Sequence, residues 1–302
     1  MTVGRNINQF LSIPWQQPVN LWGPLICRKN LVMFWGKTGV GKSRLVWPLG
    51  YTLAAGGQFL NHYCPAPVRV GLFDTENTDD AIARRLTAIE QAAAFKPRGD
   101  HFRILTKDDC GGVPWNISSW EGQDKLNEFA KDLDVLIIDN VLGCCLPLDR
   151  HDDDVRQWQR VTPWLFSLRD AGKAVILVHH SGKSGQAQLG TSLRENWLDT
   201  IVEIRPPENF VPINGTEFEL HFNKTRDVKR IDAQPLHVQY LEYDGVSNFV
   251  WSPLQSSKEQ IVRSLKAEGL TRREVARQTG FSLFDVKRVW DEEENSERPL
   301  GS

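Results

Sequence analysis

The sequence predicts an α/β fold: a mainly parallel sheet covered by helices on both faces, followed by a small all-α unit. Three observations carry this reading. From about residue 31 to residue 180, short continuous apolar runs alternate with segments of helical periodicity, the pattern of strands buried on both sides. A glycine-rich loop joins the first such strand to the first long helix. The stretch 257–292 carries helical periodicity and no strand pattern.

The elements follow in order. Residues 1–30 are broken by Pro14, Pro18 and Pro24 and read as a leading segment. Leu31 to Trp35 is apolar and bounded by Gly36, as a buried strand is. Leu45, Val46, Leu49 and Leu53 recur at helical spacing over 42–55, with Pro48 expected to kink the helix. A strand is predicted over 68–73, a helix over 80–94 on Ile82, Leu86 and Ile89, and a short strand over 102–105. A helix over 121–133 leads to the strand 135–138, which ends at Asp139. A helix over 155–169 leads to the strand 174–178, which ends at His179 and His180. Beyond residue 196 the pattern changes: 218–222 and 236–242 alternate, as half-buried antiparallel strands do. After a linker at 252–257, three helices are predicted. The first covers 258–268 and stops at Gly269, the second starts at the capping box Thr271–Glu274, and the third starts at Ser282. An acidic tail, 291–294, follows. The division expected is a domain over 1–252 and a second over 257–292.

Composition narrows the function classes. The chain has 302 residues, 40% hydrophobic and 25% charged, which suits an ordinary folded protein. A net charge of −2 does not indicate binding of a polyanion over the whole surface, and leaves room for a local basic patch. The five cysteines fit no zinc spacing and no disulfide framework. With no long apolar run and no leader-like N-terminus, the expectation is a cytoplasmic protein.

The chemistry sits first in Gly36-Lys37-Thr38-Gly39-Val40-Gly41-Lys42-Ser43, which with Arg44 forms the predicted nucleotide-binding set. The glycines let backbone N–H groups turn in on phosphate oxygens, and the following helix presents its positive end. Lys42 can bridge the outer phosphates and Ser43 can ligate Mg2+. Asp139, at the end of its strand, is placed to hold the same metal through water. Glu76, just past the strand 68–73, is placed to polarise an attacking water, with Asp74 the competing base.

This ordered series resembles the RecA-like ring ATPases, and most of all the RepA-type plasmid replicative hexameric helicases. The resemblance runs over about 18–230: GKTGVGKS (36–43), LAAGG (53–57), VRVGLFDTENTDDAIARRL (68–86), VLIIDN (135–140), VILVHHSGKS (175–184) and GTS (190–192). It implies a RecA-like phosphate-loop NTPase core with an antiparallel extension, and ATP with Mg2+ as cofactors. It also implies Glu76 as the catalytic glutamate and His179 or His180 as the γ-phosphate sensor. Lys183, Arg194 and the 184–192 loop would then line a channel for single-stranded DNA in a homo-hexamer. Arg226, or else Lys224, would reach into a neighbouring subunit's site, with Lys229 and Arg230 nearby competitors. The acidic residues Asp149 and 152–154 fall in the other pore-loop region and would repel phosphates.

Taking Arg272 as position one, Ala276, Gly280, Val286 and Val289 fall at the spacing of a helix-turn-helix, which the C-terminal segment resembles. That implies duplex DNA contact through Arg272, Arg273, Ser282, Phe284, Lys287 and Arg288. The function expected is an ATP-hydrolysing ring motor on DNA, a replicative helicase of a plasmid, phage or other mobile element. The alternative is a DNA-bound regulatory or loader ATPase that does not unwind.

Overall fold

The computed structural model describes residues 4–149, 152–180, 196–207, 216–243, 246–254 and 257–296. The chain separates into two compact units, Met1–Ser252 and Pro253–Ser302. In the first, α1 (Ile7–Leu11) precedes the antiparallel pair β1 (Asn20–Trp22) and β2 (Ile26–Cys27). β3 (Leu31–Gly36) then leads into α2 (Lys42–Ala55) and the small antiparallel pair β4 (Gly57–Phe59) and β5 (His62–Cys64). Next come β6 (Val70–Asp74), α3 (Asp79–Ala92), β7 (Phe102–Leu105), α4 (Trp120–Ala130) and β8 (Val135–Asp139). α5 (Val141–Cys144), α6 (Asp154–Asp170) and β9 (Ala174–His180) follow. The unit ends with β10 (Thr200–Arg205), β11 (Thr216–Thr225), a 3-10 turn at Arg230–Ala233, β12 (Leu236–Tyr243) and β13 (Val246–Pro253).

Nine described strands form one sheet, in the order β13-β12-β11-β10-β3-β9-β8-β6-β7. Every pair from β10 through to β7 is parallel, and β11 and β12 extend the sheet antiparallel beyond β10. The parallel strands are buried on both faces, and for that reason their sequences are continuously apolar. Along β3, Val32 and Phe34 face one core with α2 and α3, while Leu31, Met33 and Trp35 face the other with α4 and α6.

One feature departs from the sequence expectation. β10 lies beside β3 and parallel to it, inside the stretch where antiparallel pairing was expected. Its sequence TIVEIR carries a charge at Glu203, which interrupts the apolar run that marks the other parallel strands. α2 covers the predicted 42–55 with Pro48 inside it, its far end tied by the Thr52 hydroxyl to the Pro48 carbonyl at 2.8 Å.

In the second unit, α7 (Ser257–Ala267), α8 (Arg272–Thr279) and α9 (Leu283–Ser296) enclose a core of Val262, Val275, Val286 and Val289. Thr271 and Glu274 form the predicted capping box. Gly280 ends α8 at φ 71°, a left-handed conformation that favours glycine. The predicted acidic tail is instead the continuation of α9, and Asp291 is paired there with Arg272 at 2.9 Å.

Among the described glycines, Gly122 in the first turn of α4 is the most tightly confined by backbone. A Cβ there would stand 2.0 Å from the Asn116 carbonyl oxygen. Overpacking of this kind costs about 1–3 kcal/mol. Gly122→Ala is therefore expected to lower unfolding free energy by about that amount in a denaturant titration. An unchanged midpoint would contradict the packing described.

Candidate functional site

Parallel pairing carries four strand ends to one edge. Gly36 pairs with His180 and Trp35 with His179 across β3 and β9. Asp74 pairs with Asp139 across β6 and β8, and Ile138 pairs with Leu177 across β8 and β9. The carboxyl ends of β3, β9, β8 and β6 thus share one rim, where ligands bind in open α/β sheets.

The phosphate loop spans this rim. A Cβ on Gly36 would meet the Ile204 carbonyl at 2.3 Å, so only glycine lets β3 end so close to β10. Gly39 and Gly41 take φ 81° and 110°. Gly41 caps α2 without any side-chain hydrogen bond, so the first N–H groups of that helix are left for another acceptor. A Cβ on Gly39 would meet nothing within 4 Å. An open concave backbone, an uncapped helix N-terminus and an adjacent lysine fit a triphosphate. Lys42 is buried, its Nζ donating to the carbonyls of Gly36 at 3.0 Å and Lys37 at 2.8 Å and lying 3.1 Å from His180 Nδ1. Burial pulls its ammonium down to about 8, against the opposing pull of Asp139 and Glu76. Arg44 bonds Thr216 and lies over the Tyr240 ring at 5.3 Å.

Asp139 is 4% exposed. Burial pushes its carboxyl up to about 6, while hydrogen bonds from Ser43 and Trp47 and the nearby Asp74 and Glu76 charges adjust it. Trp47 Nε1 donates to Asp139 Oδ2 at 2.7 Å. The Ser43 hydroxyl beside that carboxylate is the donor set a phosphate-bound Mg2+ takes: one hydroxyl, one nearby carboxylate, and oxygens of the nucleotide. No group of three or more His, Cys, Asp or Glu side chains that could hold a metal exists among the described residues.

Asp74 is fully buried and accepts from the backbone of Glu76 and Asn77 and from Asn77 Nδ2, at 2.7 to 3.1 Å. Those bonds make it the brace of the turn that presents Glu76. Glu76 is half exposed, its Oε1 3.7 Å from His180 Nε2. Of the two predicted bases, Glu76 is the one open to a water.

The two histidines part company. His179 is 1% exposed and stacks on Trp158. His180 turns to the phosphate loop, 3.2 Å from Thr38 Oγ1, and lies 2.9 Å from Asn140 Nδ2. Burial and the Lys42 charge lower its pKa, against the pull of Glu76, so the neutral ring is favoured. Three residues of the site were missed in sequence: Trp47, Thr75 and Asn140. Trp47 follows Ser43 by one helical turn, and Asn140 follows Asp139 directly, which were the available signals.

Other predicted residues lie elsewhere. Arg226 pairs with Asp199 at 3.3 Å and donates to the Asn196 carbonyl, at the rim opposite the phosphate loop, since Thr200 pairs with both Val32 and Thr225. Lys224 pairs with Ile201 in the same region. Lys183, Arg194 and the 184–192 loop lie outside the described residues. Asp152 accepts from Leu148 N and pairs with Arg160, and Asp153 caps α6, so both acids are engaged with their own chain. In the second unit Arg288 pairs with Glu259, Ser282 caps α9 through Asp285 N, and Arg273, Lys287 and Phe284 are exposed.

A mainly parallel sheet bearing a phosphate loop, a strand-end aspartate and a presented glutamate defines a RecA-like ATPase domain. Residues 6–186 match the family model AAA_25, described as an AAA domain. The chain therefore belongs to the AAA_25 family of AAA domains. Among solved structures, a KaiC-like protein from the hyperthermophilic archaeon Pyrococcus horikoshii OT3 is similar over 78% of this chain and 99% of its own, at 14% identity and a TM-score of 0.55. The flagellar accessory protein FlaH from Methanocaldococcus jannaschii matches over 74% and 91%, at 11% identity and a TM-score of 0.49. No curated protein sequence matches. Among the described residues, no helix is long and apolar enough to cross a membrane.

The Asp139 shift has a sign. A carboxyl raised in the fold favours the protonated form, so its contribution to stability is full below the ordinary carboxylate range and is lost as pH rises through about 6. A cation beside it relieves that loss. The rise in Tm given by Mg2+ with a non-hydrolysable ATP analogue is therefore expected to be larger at pH 7.5 than at pH 5. Calorimetry giving equal increments at both would contradict the assignment of Asp139 to the metal.

Proposed function

We propose that this chain is an ATP-hydrolysing motor that acts on DNA as a ring of its own copies, with strand separation as its output. The observation that carries this is His180, the last residue of β9, which touches Thr38 and Lys42 of the phosphate loop and faces Glu76. A side chain so placed feels whether a γ-phosphate is present and is joined directly to the chain that begins at residue 181. In this reading Lys42 leaves the Gly36 and Lys37 carbonyls for the β- and γ-phosphates. Ser43 and Asp139 hold Mg2+, and Glu76 polarises the attacking water. Lys183 and Arg194 meet single-stranded DNA, and Arg226 or Lys224 serves a neighbour's site. The resemblance of the ordered motifs 36–43, 68–86, 135–140 and 175–184 to the RepA-type helicases supports the reading.

A second reading rests on the C-terminal unit. Its capping box at Thr271, left-handed Gly280 and exposed Arg273 and Lys287 suit a helix-turn-helix on duplex DNA. In that case hydrolysis switches assembly at a site and does not unwind. Deleting residues 256–302 separates the two: loss of duplex binding with hydrolysis intact favours the second.

Under the first reading, single-stranded DNA accelerates ATP hydrolysis, and forked DNA is unwound. Mass measurements should give a hexamer with ATP and DNA present. Glu76→Gln is expected to lower kcat by about a hundredfold or more while nucleotide binding survives, and Lys42→Ala to lose both. Hydrolysis indifferent to DNA, with no unwinding, would refute the motor. Equal rates for wild type and both variants would refute the hydrolase.

A further inference from the structure

The hydrogen-bond inventory around His180 does not balance, and the imbalance points to Asn140. Two donors face this ring: Lys42 Nζ at 3.1 Å from Nδ1 and Asn140 Nδ2 at 2.9 Å from Nε2. A neutral imidazole has only one accepting nitrogen. One of the two approaches must therefore yield.

Asn140 is the less able to yield. It is 1% exposed. Its Oδ1 accepts from Gly143 N at 3.0 Å, which fixes which end of the amide faces the histidine. Turning the amide over would set Nδ2 against that N–H and leave a buried donor without an acceptor. Its backbone is clasped as well: Asn140 N donates to Thr75 Oγ1 at 2.9 Å, and the same hydroxyl donates to the Asn140 carbonyl at 3.0 Å. Lys42 by contrast has two carbonyl acceptors of its own and sits on a flexible stem.

We propose that Asn140 is a positioning residue that fixes the tautomer of His180. With Nε2 held as acceptor by the Asn140 amide, the ring proton lies on Nδ1, on the side of Thr38 and the phosphate loop. Once a triphosphate draws Lys42 away, His180 presents a neutral N–H donor to it. The same bond settles the other face of the ring. An unprotonated Nε2 has no hydrogen to give Glu76, whose Oε1 stands 3.7 Å off, so the glutamate stays available to a water. This rests on the reading of the site as one that binds and hydrolyses ATP.

The test uses the full chain labelled with nitrogen-15 in its histidines, bound to Mg2+ and a non-hydrolysable ATP analogue. Loss of one signal set in His180→Ala assigns the ring. Nitrogen shifts then report which ring nitrogen carries the proton. Wild type is expected to show the Nδ1–H form, and Asn140→Asp the Nε2–H form, because a carboxylate accepts where the amide donated. In steady-state kinetics, kcat should fall by about a hundredfold in Asn140→Asp, and likewise in Asn140→Ala, with little change in analogue affinity. An analogue-bound wild type in the Nε2–H form would overturn the proposal while leaving the ATPase reading intact, as would an Asn140→Asp protein with an unturned ring. Failure of the analogue to bind at all would remove the nucleotide reading, and the proposal with it.

Discussion

The constraint on which everything else depends is the parallel register of β3, β9, β8 and β6. Parallel strands in register bring all their carboxyl ends to one rim, and in this chain those ends are Gly36, His180, Asp139 and Asp74. Each strand is buried on both faces, so register cannot slip without turning apolar side chains out of one core and into the other. The cost of misplacing a group at this rim is thereby tied to the cost of unpacking the domain. It takes no separate device to align an aspartate from one strand with a phosphate loop from another.

The rim also shows why a charge can be kept so deep. Asp139 would be an expense without its partners, since a buried carboxylate is strongly disfavoured. The Trp47 and Ser43 donors offset part of that, a hydrogen bond to a charged group being worth about 1.5–3 kcal/mol. Because Trp47 lies on α2, the same bond ties the helix that follows the phosphate loop to β8. Asp139 and the phosphate loop are held as one piece. Asp74 plays a quieter part: its carboxylate is consumed by the turn behind it, and Glu76, two residues on, is left to face outward.

Much of this was legible in the sequence, for physical reasons that differ by element. The parallel strands declared themselves because burial on both faces leaves a continuous apolar run, as in Val135 to Ile138. The phosphate loop did so because backbone contact with phosphate requires glycine at fixed spacing. The three C-terminal helices followed from Gly269, Thr271 and Ser282, whose stop and cap roles depend only on local chemistry. What stayed hidden depends on tertiary contact. β10 was obscured by Glu203, a charge that survives only because Arg205 and Asn223 bind it. Trp47 looked like one more core aromatic until its indole N–H met Asp139. Asn140 had no signature beyond its place in the chain. The engagement of Arg226 with Asp199 could not have been read from spacing, since Asp199 lies on another strand's threshold.

The paired histidines at the end of β9 carry one more consequence. Successive side chains of a strand point to opposite faces, so His179 and His180 are not spare copies of each other. One is wedged against Trp158 in the lower core and the other opens onto the loop above. Together they work as an index mark. Losing a single residue from the β9 segment 174–178 would leave both histidines in the sequence yet exchange their faces, putting the present rim ring where His179 now lies and the present core ring at the place of Val178, short of the phosphate loop. A chain altered in this way would keep every motif by which it is recognised and lose the geometry that gives those motifs meaning.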